Sequence, residues 1–219
     1  MPRLAESPSV PVTSNRLLEA AGEVFAEHGF HRATVRQITE RAKVNVAAIN
    51  YHFRDKAELY AAVLRECHCA AAELGGPCSF EEGTPSARLR AFIDWFLRRL
   101  LHPKRPKWHG VLMAREMTEP TGALAGLIEE ATRPQAATLR KILKDLGAGG
   151  LNEERMTMLG LSIVGQCLFY VHHRPLIEAL APKFKGKPPS IDALVEHIHA
   201  FSLAGVKQIV RAPRKCSRS

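Results

Sequence analysis

The stretch from Thr34 to Phe53 starts and stops a helix twice, and this limits the fold more than any other feature. Thr34-Val35-Arg36-Gln37 reads as a Thr-x-x-Gln capping box, in which each side chain satisfies an orphan backbone N–H at a helix start. Asn45 reads as the N-cap of the next helix, with Val44 before it and Ile49 inside it as a hydrophobic staple. Helices this short do not hold together alone in water. Their apolar residues Val35, Ile38, Ala42 and Ile49 must be buried against longer partners, and the flanking sequence supplies two. From Thr13, Leu17, Leu18, Ala21, Val24 and Phe25 recur at helical spacing up to a stop at Gly29. From Asp55, Leu59, Val63 and Cys67 do the same, until Gly75-Gly76-Pro77.

The rest of the chain has the same period. Ser86 is placed to cap a helix with Leu89, Phe92, Ile93, Phe96 and Leu100 on one stripe, ended by Pro103. Shorter helices are expected at Trp108–Thr118, Thr121–Ala131 and Pro134–Leu146, with Pro134 suited to a first turn. Gly147–Gly150 is a loop, Asn152 can cap Glu153–His173, and a Pro/Gly/Lys loop at Lys183–Pro189 precedes a last helix, Ile191–Val210. No β-type alternation is sustained anywhere, so the fold class is all-α. The expected organisation is a flexible Pro/Ser-rich arm at 1–12, a small helical domain with a linking helix at 13–74, a larger helical domain at 75–210 and a basic tail at 211–219.

Apolar residues make up 46% and charged residues 24% of the 219, which is ordinary for a soluble globular protein. The net charge of +9 points only loosely to an anionic partner, but Gly29–Lys56 concentrates Arg32, Arg36, Arg41, Lys43, Arg54 and Lys56 against Glu40 and Asp55. Five cysteines (Cys67, Cys69, Cys78, Cys167, Cys216) form no regular framework. With no signal-type run at the start, a reduced cytoplasmic protein is expected. The most apolar stretch, Leu159–Val171, is broken by Gly and Gln and is too short to span a membrane.

The face of the helix that begins at "VNVAAINYHF" carries the functional signal. With Ile49 set inward at 100° per residue, Val46 and Phe53 fall within about 60° of it, and Ala47 and Tyr51 point the opposite way. Ala48 and Asn50 lie on the flanks. Long charged side chains, normal on a solvated face, are missing. Small side chains let a helix enter a groove closely, Ala can touch a thymine methyl, and Asn can pair with both adenine edge groups. Two short helices with this outward face amount to a helix-turn-helix.

These residues resemble the DNA-binding domain of the TetR family of one-component transcriptional regulators. The resemblance spans Thr13–Leu64, through "AAGEVFAEHGF", the T-x-R-x-I that begins at Thr34, "YHF" at Tyr51–Phe53, and Lys56. The family usually has Gly where Lys43 stands and often Tyr where Asn50 stands, which leaves the operator sequence open. The resemblance implies phosphate approach by Thr34 and major-groove contact by Val46, Ala47, Ala48, Asn50 and Tyr51. It also implies that His52 and Lys56 hold the DNA backbone. Val46 serves two readings, since its angle makes it partly core.

In this resemblance the second domain senses a small-molecule effector and dimerises. Glu153–His173 supports dimerisation on its own: Met156, Leu159, Ile163, Gln166 and Tyr170 form one stripe, with Leu161, Val164 and Leu168 opposite. A helix apolar all round is buried on both sides. Ile191, Leu194, Val195, Ile198, Gly205 and Ile209 form a stripe on the last helix, and two such helices per protomer make the four-helix interface typical of the family. "REMTEPTGALAGLIEEATRPQAATLRKIL" with "LSIVGQCLFY" further resembles a drug- and stress-responsive branch. Effector candidates are Phe92, Trp95, Phe96, Trp108, Met113, Met117, Gln166 and Phe169; such a stripe can equally be plain core. Neighbours in Cys67-His68-Cys69 diverge around a helix and suit no shared metal. No phosphate loop, nucleophile elbow or carboxylate pair is present, so neither an enzyme nor a cofactor is expected. The expected function is a dimeric repressor that binds a palindromic double-stranded operator and is released by an effector. The alternative is a helical ligand- or metal-binding protein without sequence-specific DNA binding.

Overall fold

A computed structural model of the chain describes residues 10–75, 80–184, 186 and 188–211. Every regular element among them is helical, as the periodicity predicts. In chain order these are α1 (Val10–Arg32), α2 (Val35–Ala42), α3 (Ala47–Phe53), α4 (Lys56–Gly75), α5 (Pro85–Leu101), α6 (Lys107–Thr118) and α7 (Ala123–Leu127). A π-helical turn at Ile128–Thr132 leads into α8 (Arg133–Asp145), followed by α9 (Glu153–His172), α10 (Arg174–Leu180) and α11 (Ile191–Arg211). Residues 1–9 of the expected arm and 212–219 of the tail, with Cys78 and Cys216, lie outside the described residues. The last three residues of the expected arm are already part of α1.

The chain forms two compact units. The first takes residues up to Ala70 together with Pro106–Ala131, and the second takes Ala71–Arg105 together with residues from Thr132 onward. A linear division at residue 75 puts α6 and α7 with the later helices, whereas packing groups them with α1–α4.

In the first unit, α1 supplies Leu17, Ala21, Val24 and Phe25 to a core shared with Ile38 of α2, Ile49 and Phe53 of α3, and Leu59, Tyr60 and Val63 of α4. Leu112 of α6 is fully buried in the same core. Gly22 permits this docking: a Cβ there would fall 2.2 Å from the Trp108 ring, whose Nε1–H donates to Glu19 Oε1 at 3.2 Å. Glu116, also on α6, is fully buried. It accepts the Tyr60 hydroxyl proton at 2.8 Å on Oε2 and the Thr121 N–H and hydroxyl at 2.9 and 3.0 Å on Oε1. A buried carboxylate is tolerated because these donors replace its water.

The second unit packs α5, α8, α9 and α11 around Leu89, Ile93, Leu97, Ile142, Leu143, Met156, Ile163, Val195 and Ile198. Two sequence expectations change here. The N-cap of α5 is Thr84, whose Oγ1 accepts from Ala87 N at 3.2 Å, with Pro85 at the first position; Pro preset there moves the start two residues upstream of Ser86. Ser86 is freed to meet His199 Nε2 of α11 at 3.1 Å. The spacing of apolar residues does not reveal α10, because a helix of seven residues carries too little periodicity to register. No helix among the described residues is long and apolar enough to cross a membrane.

Candidate nucleic-acid interface

The turn between α2 and α3 is set locally. The capping box forms as the sequence predicts: Gln37 N–H donates to Thr34 Oγ1 at 3.2 Å and Thr34 N–H to Gln37 Oε1 at 2.8 Å. The Thr34 hydroxyl also donates to Gln37 Oε1 at 2.8 Å. At the other end of α2, Lys43 takes a left-handed conformation (φ 54, ψ 49) and its N–H reaches the carbonyls of Thr39 and Glu40. The expected cap shifts by one residue: Val46, not Asn45, precedes the first helical residue of α3 and offers no side-chain cap bond; Asn45 Oδ1 accepts from Ala47 N–H at 3.0 Å within the turn before it. Val44 is partly buried and packs against the core to which Ile49 belongs.

With α3 fastened by Ile49 and Phe53 (1% and 8% exposed), its other face is left to solvent. Ala47 and Asn50 are exposed, Ala48 and His52 partly so, and Tyr51 stands out at 76% exposure with its ring edge-on to His52 at 4.9 Å. Val46, read as partly core, is 47% exposed and belongs mostly to the outer face.

The surrounding cations fall into two groups. Arg36 pairs with Glu40, and Arg41 forms a two-pronged pair with Glu27 at 2.7 and 2.9 Å that holds the Glu27 carboxyl below its ordinary range. Arg32 and Lys43 are exposed and outside every ion pair among the described residues. Lys56 differs from expectation in what it touches. Its Nζ donates to the carbonyls of Phe30 and Ala33, both at 3.0 Å, and lies 4.7 Å from the centroid of the Phe30 ring. Two of its three donors therefore close the end of α1 onto the start of α4. Sequence spacing could not reveal this, since the carbonyls it meets lie more than twenty positions earlier.

Two family models cover the chain in series. "Bacterial regulatory proteins, tetR family" matches residues 17–63, and "HTH-type transcriptional dual regulator CecR, C-terminal domain" matches residues 85–206. The chain belongs to the TetR family. Among curated TetR-family relatives, the transcriptional repressor AcnR of Corynebacterium diphtheriae is 34% identical over 107 residues, covering 45% of this chain and 50% of that one. The chain thus spans about half the length of that relative. The transcriptional repressor NicS of Pseudomonas putida is 26% identical over 204 residues, 90% of this chain and 93% of that one. Among solved structures, the regulator FadR of Bacillus subtilis in complex with stearoyl-CoA superposes with a TM-score of 0.65. It is 19% identical and covers 87% of this chain and 98% of that one, a likeness of fold.

The effector candidates of this TetR-family chain do not all share one unit. Trp108, Met113 and Met117 belong to the first; Phe92, Trp95, Phe96, Gln166 and Phe169 belong to the second. Trp108 and Met113 pack on the first core, and Met117 is 55% exposed. Phe92 and Phe96 are core residues whose rings stack at 6.0 Å, with half-buried Trp95 beside them. Gln166 meets its polar need within the chain, donating to the Ser162 carbonyl at 3.1 Å and to Ser202 Oγ on α11 at 3.3 Å. Phe169 is partly exposed and stacks on His173 at 4.7 Å. In Cys67-His68-Cys69 the first residue is buried and the last exposed. Among the described residues no group of three or more His, Cys, Asp or Glu could hold a metal ion.

Proposed function

We infer that the protein is a one-component transcriptional repressor that binds a palindromic DNA operator as a homodimer and leaves it when a small-molecule effector binds. The observation that carries the reading is the exposed Ala47–Asn50–Tyr51 face of α3, held on a helix whose opposite side is locked into the core. An exposed tyrosine on the short, charge-poor second helix of a helix-turn-helix has a physical use in a major groove and little use in water. Residues 13–74 carry this function, with Val46, Ala47, Ala48, Asn50 and Tyr51 towards the bases. Thr34, His52, Arg32, Lys43 and the remaining donor of Lys56 lie towards phosphates. AcnR and NicS are both named repressors, which supports repression.

Residues 75–210 carry effector sensing and dimerisation. Met158, Leu161, Gly165 and Phe169 line the exposed side of α9, opposite its buried Met156, Leu159 and Ile163. Phe201 is 65% exposed on α11. A Cβ added at Gly165 or Gly205 would meet nothing within 4 Å in the single chain, so both leave room for another backbone. A second copy of the chain is the occupant that fits a repressor of a palindrome. The effector acts only by binding the DNA-free conformation more tightly, since equal affinity shifts nothing. The protein works in the cytoplasm, where its DNA is, and no catalytic step belongs to it.

The test is fluorescence anisotropy against DNA flanking its own gene at moderate salt. Sequence-selective binding that collapses in Tyr51→Ala is the expected result. Equal binding to unrelated DNA, unaffected by Tyr51→Ala, would overturn the reading and favour a ligand-binding protein without operator recognition.

A further inference from the structure

The first unit carries a cleft of about 200 Å³ that lies apart from the Ala47–Tyr51 face. It opens where Gly29 breaks α1. Phe30 and Tyr60 give it an apolar floor, with ring centroids 5.0 Å apart. The Tyr60 hydroxyl is committed to Glu116, so the ring is what Tyr60 offers. The rim is basic, formed by His28, His31, Arg32 and Arg115.

Arg115 reaches the cleft from α6, and its approach depends on glycine. A Cβ on Gly29 would fall 2.8 Å from Arg115 Nη1, and Gly29 also adopts φ +74, which other residues rarely hold. Glu119 is the one acid on the lining. Its carboxylate is 3.9 Å from Arg115 and its side chain 73% exposed, so the attraction is screened and weak. Arg32 is exposed and outside every ion pair among the described residues. Two arginines, Arg115 and Arg32, thus line a cleft that also holds two aromatic rings, and a guanidinium is a planar fork suited to carboxylates. At about 30 Å³ per water the cleft holds roughly six or seven waters, or one small flat ligand.

We propose that this cleft binds a small organic anion, a carboxylate on a flat apolar body. Arg115 and Arg32 take the charge, and Phe30 and Tyr60 take the ring. None of the effector candidates lines this cleft. Its occupant joins α6 to the end of α1, next to the carbonyl of Phe30 that holds Lys56 and a few residues before the Thr34 cap. A bound anion therefore fixes the segment that leads into the helix-turn-helix.

Isothermal titration calorimetry of the full chain with sodium benzoate, without DNA, tests the site independently of the repressor reading. The expected result is saturable binding, one per chain, with Kd on the order of 0.1–1 mM for a ligand of this size. Benzamide, of the same shape without the charge, should bind at least about tenfold more weakly. Arg115→Gln and Arg32→Gln should each weaken benzoate by a similar factor. Arg32 is exposed, so its variant folds even if the Arg115 variant does not. Absence of saturable heat, equal binding of benzamide, or unchanged benzoate binding by the folded Arg32→Gln protein would each overturn the proposal.

Discussion

Lys43 shows how one residue can carry a cost for position. It sits in the left-handed region where the first helix of the helix-turn-helix ends, and a side chain there costs about 1–2 kcal/mol relative to glycine. Lys43→Gly should therefore raise stability by about 1 kcal/mol, partly offset by the freer unfolded chain, read as a higher urea midpoint at unchanged slope. Lys56 makes the opposite case. A DNA-contact role alone predicts that Lys56→Ala weakens binding to all sequences and lowers the salt slope without affecting the free protein. Its bonds to the Phe30 and Ala33 carbonyls predict in addition a loss of about 2 kcal/mol of stability measured without DNA. An unchanged urea midpoint would show that those bonds are not formed in solution. Asn50, exposed and outside the core, should lose only selectivity: Asn50→Ala should relax preference at one base pair by about 1–3 kcal/mol in competition binding.

At the scale of the element, α6 matters most, because it follows α5 in the chain yet completes the first core. Beyond the buried Leu112, its attachment rests on the Trp108 ring over Gly22 and the buried Glu116 carboxylate bonded to Tyr60. Gly22→Ala should displace Trp108 and lower stability by about 1–3 kcal/mol, as overpacking does; a neutral melting temperature would mean that the ring moves at no cost. Tyr60→Phe should lose about 1–3 kcal/mol at neutral pH, since it leaves Glu116 Oε2 buried without its donor. Burial, and then the bond to Glu116, hold the Tyr60 phenol well above its ordinary value. The folded state keeps a proton that the unfolded chain releases near pH 10. The stability from this group is therefore complete below about pH 10 and is lost as pH rises further. Part of the alkaline destabilisation should disappear in Tyr60→Phe.

For the whole molecule, the proposed dimer puts the exposed stripe of α9 and Phe201 of α11 against a second copy. Leu161, 65% exposed in the single chain, should become buried between two copies. Leu161→Glu would then place a charge in an apolar interface, give a monomer by sedimentation velocity, and weaken operator binding by losing the second half-site. A dimer that persists in Leu161→Glu would move the interface to another face. The excess positive charge works at the same scale: operator affinity should fall steeply with salt in proportion to the phosphates neutralised.

Much of this was legible in the sequence, because it is local. The Thr34–Gln37 box, a break in α1 at Gly29 and the inward Ile49 follow from residues a few positions apart, and they determine an all-α chain with a helix-turn-helix near its start. Caps, left-handed stops and helical periods are properties of one short segment, so one segment reveals them. The tertiary structure alone decided that α6 joins the first unit, that Lys56 closes the end of α1, that Gln166 is satisfied by Ser202, and that Arg115 and Arg32 border one cleft. Each of these depends on residues distant in sequence meeting in space. Such meetings are fixed by how whole helices bury their faces against one another, which no single stretch records.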